Sequence, residues 1–226
     1  MTERRIDPRR FIPRAIGTLT IIGFATFAVL GIYVLISRHT RDRAFEGLES
    51  GDLSAVIKGF KGPPSHFDKY GFTPLTRAAY YRNREAIRYL LSVGYDPNQF
   101  DKLLDSPPIL YAAGDESIVR ILLQGGANPS LKGGAAVFAM AASRCPKCLT
   151  EVLQAGGDCN TKSPGTGRTP LMAAAFEGRT YNIEILYNWG ADLNALDNRK
   201  RAAVDYAMDR GHIDAAMFLI ELSLPR

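Results

Sequence analysis

The tightest grouping of reactive side chains in this sequence is Cys145-Pro146-Lys147-Cys148. Two thiols at this spacing can form a redox couple, half of a zinc site, or two small residues in a helical turn. Structural zinc takes four ligands, yet only Cys159 remains, and His39, His66 and His212 have no partner at ligand spacing. The redox use needs a thiolate stabilised beside a strand-helix unit, and no such unit is evident. A local disulfide between Cys145 and Cys148 is expected if this part of the chain lies in an oxidising compartment, leaving Cys159 free. The run from Ser163 to Thr169 is glycine-rich but lacks the lysine and spacing of a phosphate loop. No nucleophile elbow, zinc-protease motif or isolated carboxylate pair is present, so the sequence points to a protein that is not an enzyme. It calls for no cofactor and no metal, and no small-molecule substrate is evident.

The elements that would carry these residues are set by composition and charge. The chain has 226 residues, 46% hydrophobic and 23% charged, which excludes a disordered chain. Its net charge of +5 is local. Residues 1–43 hold eight arginines against Glu3, Asp7 and Asp42, whereas residues 44–226 hold 20 basic and 20 acidic side chains. No basic stripe runs along the larger part, so nucleic acid is not an expected partner.

Residues 15–37 are 23 consecutive uncharged positions, about 34 Å of helix, enough to cross a bilayer. The run is too long for a signal h-region, and the arginines after it leave no small-residue cleavage site. We expect a basic tail over 1–14, a transmembrane helix over 15–37, a basic linker over 38–43 and a folded domain over 44–226. Five arginines precede the apolar run and three follow it, which favours a cytoplasmic N-terminus and an extracytoplasmic domain, periplasmic if the cell is bacterial.

The domain repeats itself. Leu90-Leu91, Leu122-Leu123, Val152-Leu153 and Leu186-Tyr187 each stand three residues or so before a glycine, and Gly94, Gly126, Gly156 and Gly190 are 32, 30 and 34 residues apart. Each glycine is followed four residues later by Asn98, Ser130, Asn160 or Asn194. Upstream, Thr73-Pro74-Leu75 precedes Ala78-Ala79, Pro107-Pro108-Ile109 precedes Ala112-Ala113, and Thr169-Pro170-Leu171 precedes Ala174-Ala175. Weaker copies run from Ala136 to Ala142 and from Ala202 to Met208, and a degenerate one begins near Leu48. Thr73 suits an N-cap with Pro74 at the first helical position, the alanines let a short helix approach its neighbours, and Gly94 permits a left-handed stop.

This register resembles the ankyrin repeat over the whole stretch from about Arg43 to the C-terminus. The resemblance implies an all-α solenoid of about five to six helix-turn-helix repeats, binding a protein partner through its concave face and hairpin tips. Carried onto this sequence, that places Tyr70, Phe72, Leu103, Arg168 and Arg199 at or beside tips, and Tyr80, Tyr81, Arg82 and Phe176 just after the alanine pairs. Aromatic and arginine side chains dominate binding hot spots, although each of these rings can equally pack against the next repeat. Two inter-helix turns depart from the family pattern, at Gly114-Asp115-Glu116 and at Arg144-Cys145-Pro146-Lys147. The sequence therefore reads as a membrane-tethered binding module with an unidentified protein partner, held by a lipid bilayer through residues 15–37; the alternative is a redox or protective factor of the cell envelope using Cys145 and Cys148.

Overall fold

Thr73 Oγ1 accepts the backbone N–H of Thr76 at 3.1 Å and Pro74 occupies the first helical position, so the helix that starts there is both capped and preset in φ. The same device recurs at Thr169 and Pro170, where Thr169 Oγ1 accepts Met172 N. Asp52, Asn83 and Asp115 cap other helices in the same way. These local signals define the elements of the computed structural model, which describes residues 38–61 and 67–224. The expected tail and membrane segment, residues 1–37, lie outside the described residues. Among the described residues no helix is long and apolar enough to cross a membrane.

In chain order the helices are α1 (38–50), α2 (Leu53–Gly59), α3 (Pro74–Tyr80), α4 (Arg84–Ser92), α5 (Pro108–Tyr111), α6 (Glu116–Gln124), α7 (Leu131–Ala142), α8 (Pro146–Gln154), α9 (Pro170–Phe176), α10 (Thr180–Asn188), α11 (Ala203–Asp209) and α12 (Ile213–Ser223). They form an all-α stack of antiparallel pairs. Odd-numbered helices make one layer, in which α3, α5, α7, α9 and α11 touch in succession; even-numbered helices from α2 to α12 make the other. Residues 38–43, set apart above as a linker, are helical and continue into α1.

The core is one continuous band between and along the two layers. Ala78, Ala79, Ala112, Ala141, Ala174, Ala175 and Ala207 are buried on the inner helices, where small side chains let short helices pack closely. Ile87 and Leu90 on α4, Ile118 and Leu122 on α6, Leu149 and Val152 on α8, and Ile183 and Leu186 on α10 bury the facing stripe of the outer layer. Burying one such branched side chain contributes about 1.5–3 kcal/mol, and Leu75, Ile109, Met140, Leu171 and Met172 add to it from the inner layer. At the first pair the stack is closed by Phe45, Phe60 and Tyr95, whose rings meet edge to face at 5.0 and 5.9 Å.

The fourth pair departs from its neighbours. Where others have a projecting tip, the chain turns through Lys132, Gly133 and Gly134, all at positive φ. A side chain at Gly134 would meet Thr161 Cγ2 at 2.7 Å, so both the conformation and the space favour glycine there. The next inter-helix turn is the one carrying the cysteines. Cys145 is the N-cap of α8, Cys148 is fully buried, and the two are joined by a disulfide. The third pair is the other departure anticipated from the sequence, at Gly114-Asp115-Glu116: α5 is a single turn of four residues, because two fewer residues lie between its first residue, Pro108, and the next N-cap, Asp115, than between Pro74 and Asn83.

Candidate partner-binding face

Each tip is organised by one residue at its base. Asp68 Oδ1 accepts the backbone N–H groups of Tyr70 and Phe72, both at 2.8 Å. Asp101 accepts from Leu103 N, Leu104 N and Ser106 N, and from the Tyr111 hydroxyl at 2.9 Å. Asp197 accepts from Arg199 N, Arg201 N and the Tyr206 hydroxyl, the last at 2.6 Å. Adjacent tips are joined: Lys102 N donates to Gly71 O at 2.8 Å, and Asn198 donates from its backbone to Thr166 O and from its side chain to Gly165 O. The tips are thus paired at each end of the stack, and the inner helices, which touch in succession, make them one edge. These three aspartates were not apparent as site residues in the sequence; their recurrence two residues ahead of the first N–H group that each binds was the available signal.

At the N-terminal end of this edge the predicted aromatic residues come together. Phe72, Tyr80 and Tyr111 contact one another with centroids 5.7 to 6.3 Å apart, and Tyr81 stands 5.1 Å from Tyr80. Tyr70 and Tyr80 are more than half exposed, Tyr81 is exposed, and Phe72 is half-buried as a packing ring. The Arg77 guanidinium, buried and bonded to Asp68 and Glu49, lies over the rings of Tyr70 and Tyr81. Leu103 is exposed at its tip beside Leu104. Arg82 lies apart from the tips, in the turn between α3 and α4, at φ 57°. It donates to Ala113 O at 3.4 Å and approaches Asp115 at 3.8 Å, which makes it a bridge between repeats.

The C-terminal end has a different composition. The Arg168 guanidinium lies 4.6 Å from the Tyr206 centroid and 5.1 Å from that of Phe176. Arg210 covers Phe176 at 4.5 Å, and Arg201 covers Tyr206 at 4.1 Å. Beside them is a cleft of about 450 Å³ between α7, α9 and the tip that ends at Arg168, lined by Phe138, Ala139, Ala142, Ala173 and Phe176 among others. Arg199 is exposed at the last tip. Tyr206 escaped the sequence analysis because it stands within the weak last copy.

The electrostatics follow from these contacts. The Tyr206 hydroxyl and the backbone N–H groups of Arg201 and Arg199 hold the Asp197 carboxyl down at about 2. Burial, and donation to Asp197, push the Tyr206 hydroxyl up; burial and Asp101 do the same for Tyr111. Cys159 is half-buried and its thiol donates to Trp189 O at 3.3 Å; burial, then the nearby Asp158 charge, push it up, which disfavours a reactive thiolate. The Ser163–Thr169 run is the tip before α9, with Ser163 N donating to Arg168 O. Among the described residues no group of three or more His, Cys, Asp or Glu side chains is placed to hold a metal ion.

Comparison with known proteins agrees with this geometry. A family model for ankyrin repeats in three copies matches residues 136–224, and a single ankyrin repeat model matches residues 70–102. The chain is 28% identical over 149 residues to cyclin-dependent kinase 4 inhibitor B of Bos taurus, covering 66% of this chain and 91% of that one. Among solved structures it resembles a chain in the complex of the predatory endopeptidase Bd0816 from Bdellovibrio bacteriovorus with immunity protein Bd3460, at TM-score 0.69 and 25% identity over 79% of this chain and 97% of that one. The ankyrin repeat domain of Bcl-3 shares the fold at TM-score 0.68 and 20% identity, covering 81% of this chain and 86% of that one.

Proposed function

Since the chain belongs to the ankyrin repeat family and is a non-catalytic protein-binding module, we propose that it captures a folded enzyme along the edge built by its tips and inner helices, while residues 15–37 tether it to a membrane. The observation that carries the proposal is the continuity of that edge. The inner helices touch in succession, and tip-to-tip hydrogen bonds tie the tip of Tyr70 to that of Leu103 and the tip of half-buried Arg168 to that of Arg199, so these segments are ordered before any partner arrives and little ordering entropy is lost on binding. The relatives suggest what kind of partner that is. The Bdellovibrio complex joins an endopeptidase to an immunity protein, and the bovine relative is named as an inhibitor of a kinase. An enzyme held against this edge would have its surface covered by contact alone, without any chemistry from this chain.

The tether supports the same function by confining both proteins near one surface and raising their effective concentration. The Cys145–Cys148 bond is the feature that favours the extracytoplasmic side, since such bonds persist in oxidising compartments. Tyr81→Ala combined with Phe176→Ala is expected to abolish partner capture while the helical circular dichroism is retained; unchanged capture would remove the edge from the function. Protease added to intact cells or spheroplasts is expected to digest the repeat stack, and protection until lysis would reverse the orientation. The redox alternative requires the Cys145–Cys148 bond to cycle with a thiol donor, which mass spectrometry of alkylated protein reads directly. The full burial of Cys148 disfavours it.

A further inference from the structure

The C-terminal end of the binding edge carries two guanidinium groups that no carboxylate neutralises. Arg168 and Arg210 both lie against the ring of Phe176, at 5.1 and 4.5 Å, and neither has an ion pair or a side-chain hydrogen bond among the described residues. The carboxylates around them are committed elsewhere. Asp197 is bonded to Tyr206 and Arg201, Asp209 to Arg201, Glu177 to Arg179, and Asp205 to the backbone N–H of Ala202. The nearest other cations, Arg199, Lys200 and Arg201, add positive charge along the last tip, and of these Arg201 alone is paired among the described residues. A guanidinium stacked on an aromatic face loses little freedom when it forms a two-pronged bond to a carboxylate, because its plane is already fixed.

Arg168 also borders the cleft of about 450 Å³, whose apolar part is Phe138, Ala139, Ala142, Ala173 and Phe176 and whose lining also includes Ser163, Thr166 and Glu177, the last paired with Arg179. Charged donors and an apolar recess thus sit side by side on the same edge. We propose that Arg168 and Arg210 form a carboxylate clamp astride Phe176 that selects an acidic segment of the protein partner, its glutamate or aspartate side chains bonded to the two guanidiniums and a neighbouring apolar side chain seated in the recess. The clamp rests on the reading of this edge as the binding face and supplies the partner's chemistry, which that reading leaves open. Charge complementarity is the basis of the choice: a basic or neutral segment would leave two guanidiniums without a counter-charge.

The test uses the full-length chain in a zwitterionic detergent, with labelled arginine so that the side-chain Nε–H resonances are resolved. The probe is a terminally capped Gly-Glu-Phe-Glu-Gly peptide, and the control is its glutamine counterpart. The Arg168 and Arg210 resonances are expected to shift saturably with the glutamate peptide, at an affinity at least tenfold above that of the control. Arg168→Gln with Arg210→Gln should lower that affinity at least tenfold at unchanged melting temperature. Arg168→Lys with Arg210→Lys, which keeps the charge but loses the planar fork, should give an intermediate value. Equal response to both peptides, no response at millimolar peptide, indifference to the glutamine pair of substitutions, or an equal response to a short single-stranded DNA would each overturn the clamp. The two readings fail separately: partner capture that is lost on Tyr81→Ala but indifferent to both arginines leaves the binding edge standing and removes the clamp, whereas capture indifferent to all of these removes the edge.

Discussion

Asn182 is a fully buried polar side chain, and its position explains why it is tolerated there. Its Nδ2 lies within bonding distance of the carbonyls of Met140, Ala141 and Ser143 at 3.2, 2.8 and 2.9 Å and shares its two hydrogens among them, so one side chain of α10 helps to satisfy the carbonyls around the C-terminal end of α7. Asn182→Leu is expected to destabilise the protein by about 2–3 kcal/mol in denaturant melts, since buried acceptors are left unmade. A second residue sets an acid dependence. The Asp197 carboxyl is held below its ordinary value, at about 2, by Tyr206 and by the Arg201 and Arg199 N–H groups. A group depressed in the folded state contributes stability that is complete above its unfolded value near 3.8 and is lost as pH falls towards 2. The melting temperature should therefore fall between pH 4 and pH 2, and the fall should be smaller in Asp197→Asn; identical profiles would remove Asp197 as its source. Neither residue was visible in the sequence, because an asparagine in a helix and an aspartate in a turn are ordinary until their partners are known.

At the scale of elements, the informative departures are in the middle of the stack. The cysteine turn replaces the glycine-centred turn found between α9 and α10, and the disulfide does the work of fixing the chain where no left-handed glycine stands. The loop it closes is very short, so the chain-entropy model gives only about 2 kcal/mol for it. Cys145→Ser with Cys148→Ser should lower stability by that order while leaving the helical signal intact, a result read by thermal melts with and without reductant. The left-handed turn within the start of α7 is stricter. Gly134→Ala should cost more than an ordinary glycine substitution, about 1–2 kcal/mol from its positive φ alone, because Thr161 also occupies the space a Cβ needs. Thr161 Oγ1 donates to Gly133 O at 2.8 Å, so the following repeat holds the turn in addition to its own Gly134 N–H, which donates to Ser130 O at 3.2 Å. Only the cysteine turn was legible as a break in the repeat pattern; the turn at Gly133 and Gly134 was not. The conformation of neither was legible, since each is set by an adjacent unit that the pattern does not specify.

At the scale of the whole molecule, neighbouring repeats are bonded through asparagines that the sequence suggested only as turn formers. Asn98 donates to Gly126 O and accepts from Asn128 N, and Asn160 donates to Gly190 O and accepts from Asp192 N, so each amide uses both ends to join one unit to the next. In a quasi-one-dimensional stack such interface bonds set how far the units unfold together. Asn160→Ala is expected to lower stability by about 1–2 kcal/mol and to broaden the denaturant transition, as the two pairs from α9 to α12 uncouple from the rest; a sharp, parallel transition would show that apolar packing alone carries the cooperativity. The α11–α12 pair ends the described stack, with Ile213, Met217 and Ile220 exposed along α12 and Leu224 exposed at its C-cap. The sequence by itself determined the architecture, the register of the repeats, their number to within one, and the caps that start α3 and α9, because these depend on local spacing and on contacts between adjacent units repeated at a fixed period. Only the tertiary structure decided which aromatic residues remain open, which arginines are neutralised and which polar groups are shared between repeats. Those outcomes depend on residues about thirty positions apart meeting in space, and a periodic pattern fixes that they meet without fixing what their side chains do there.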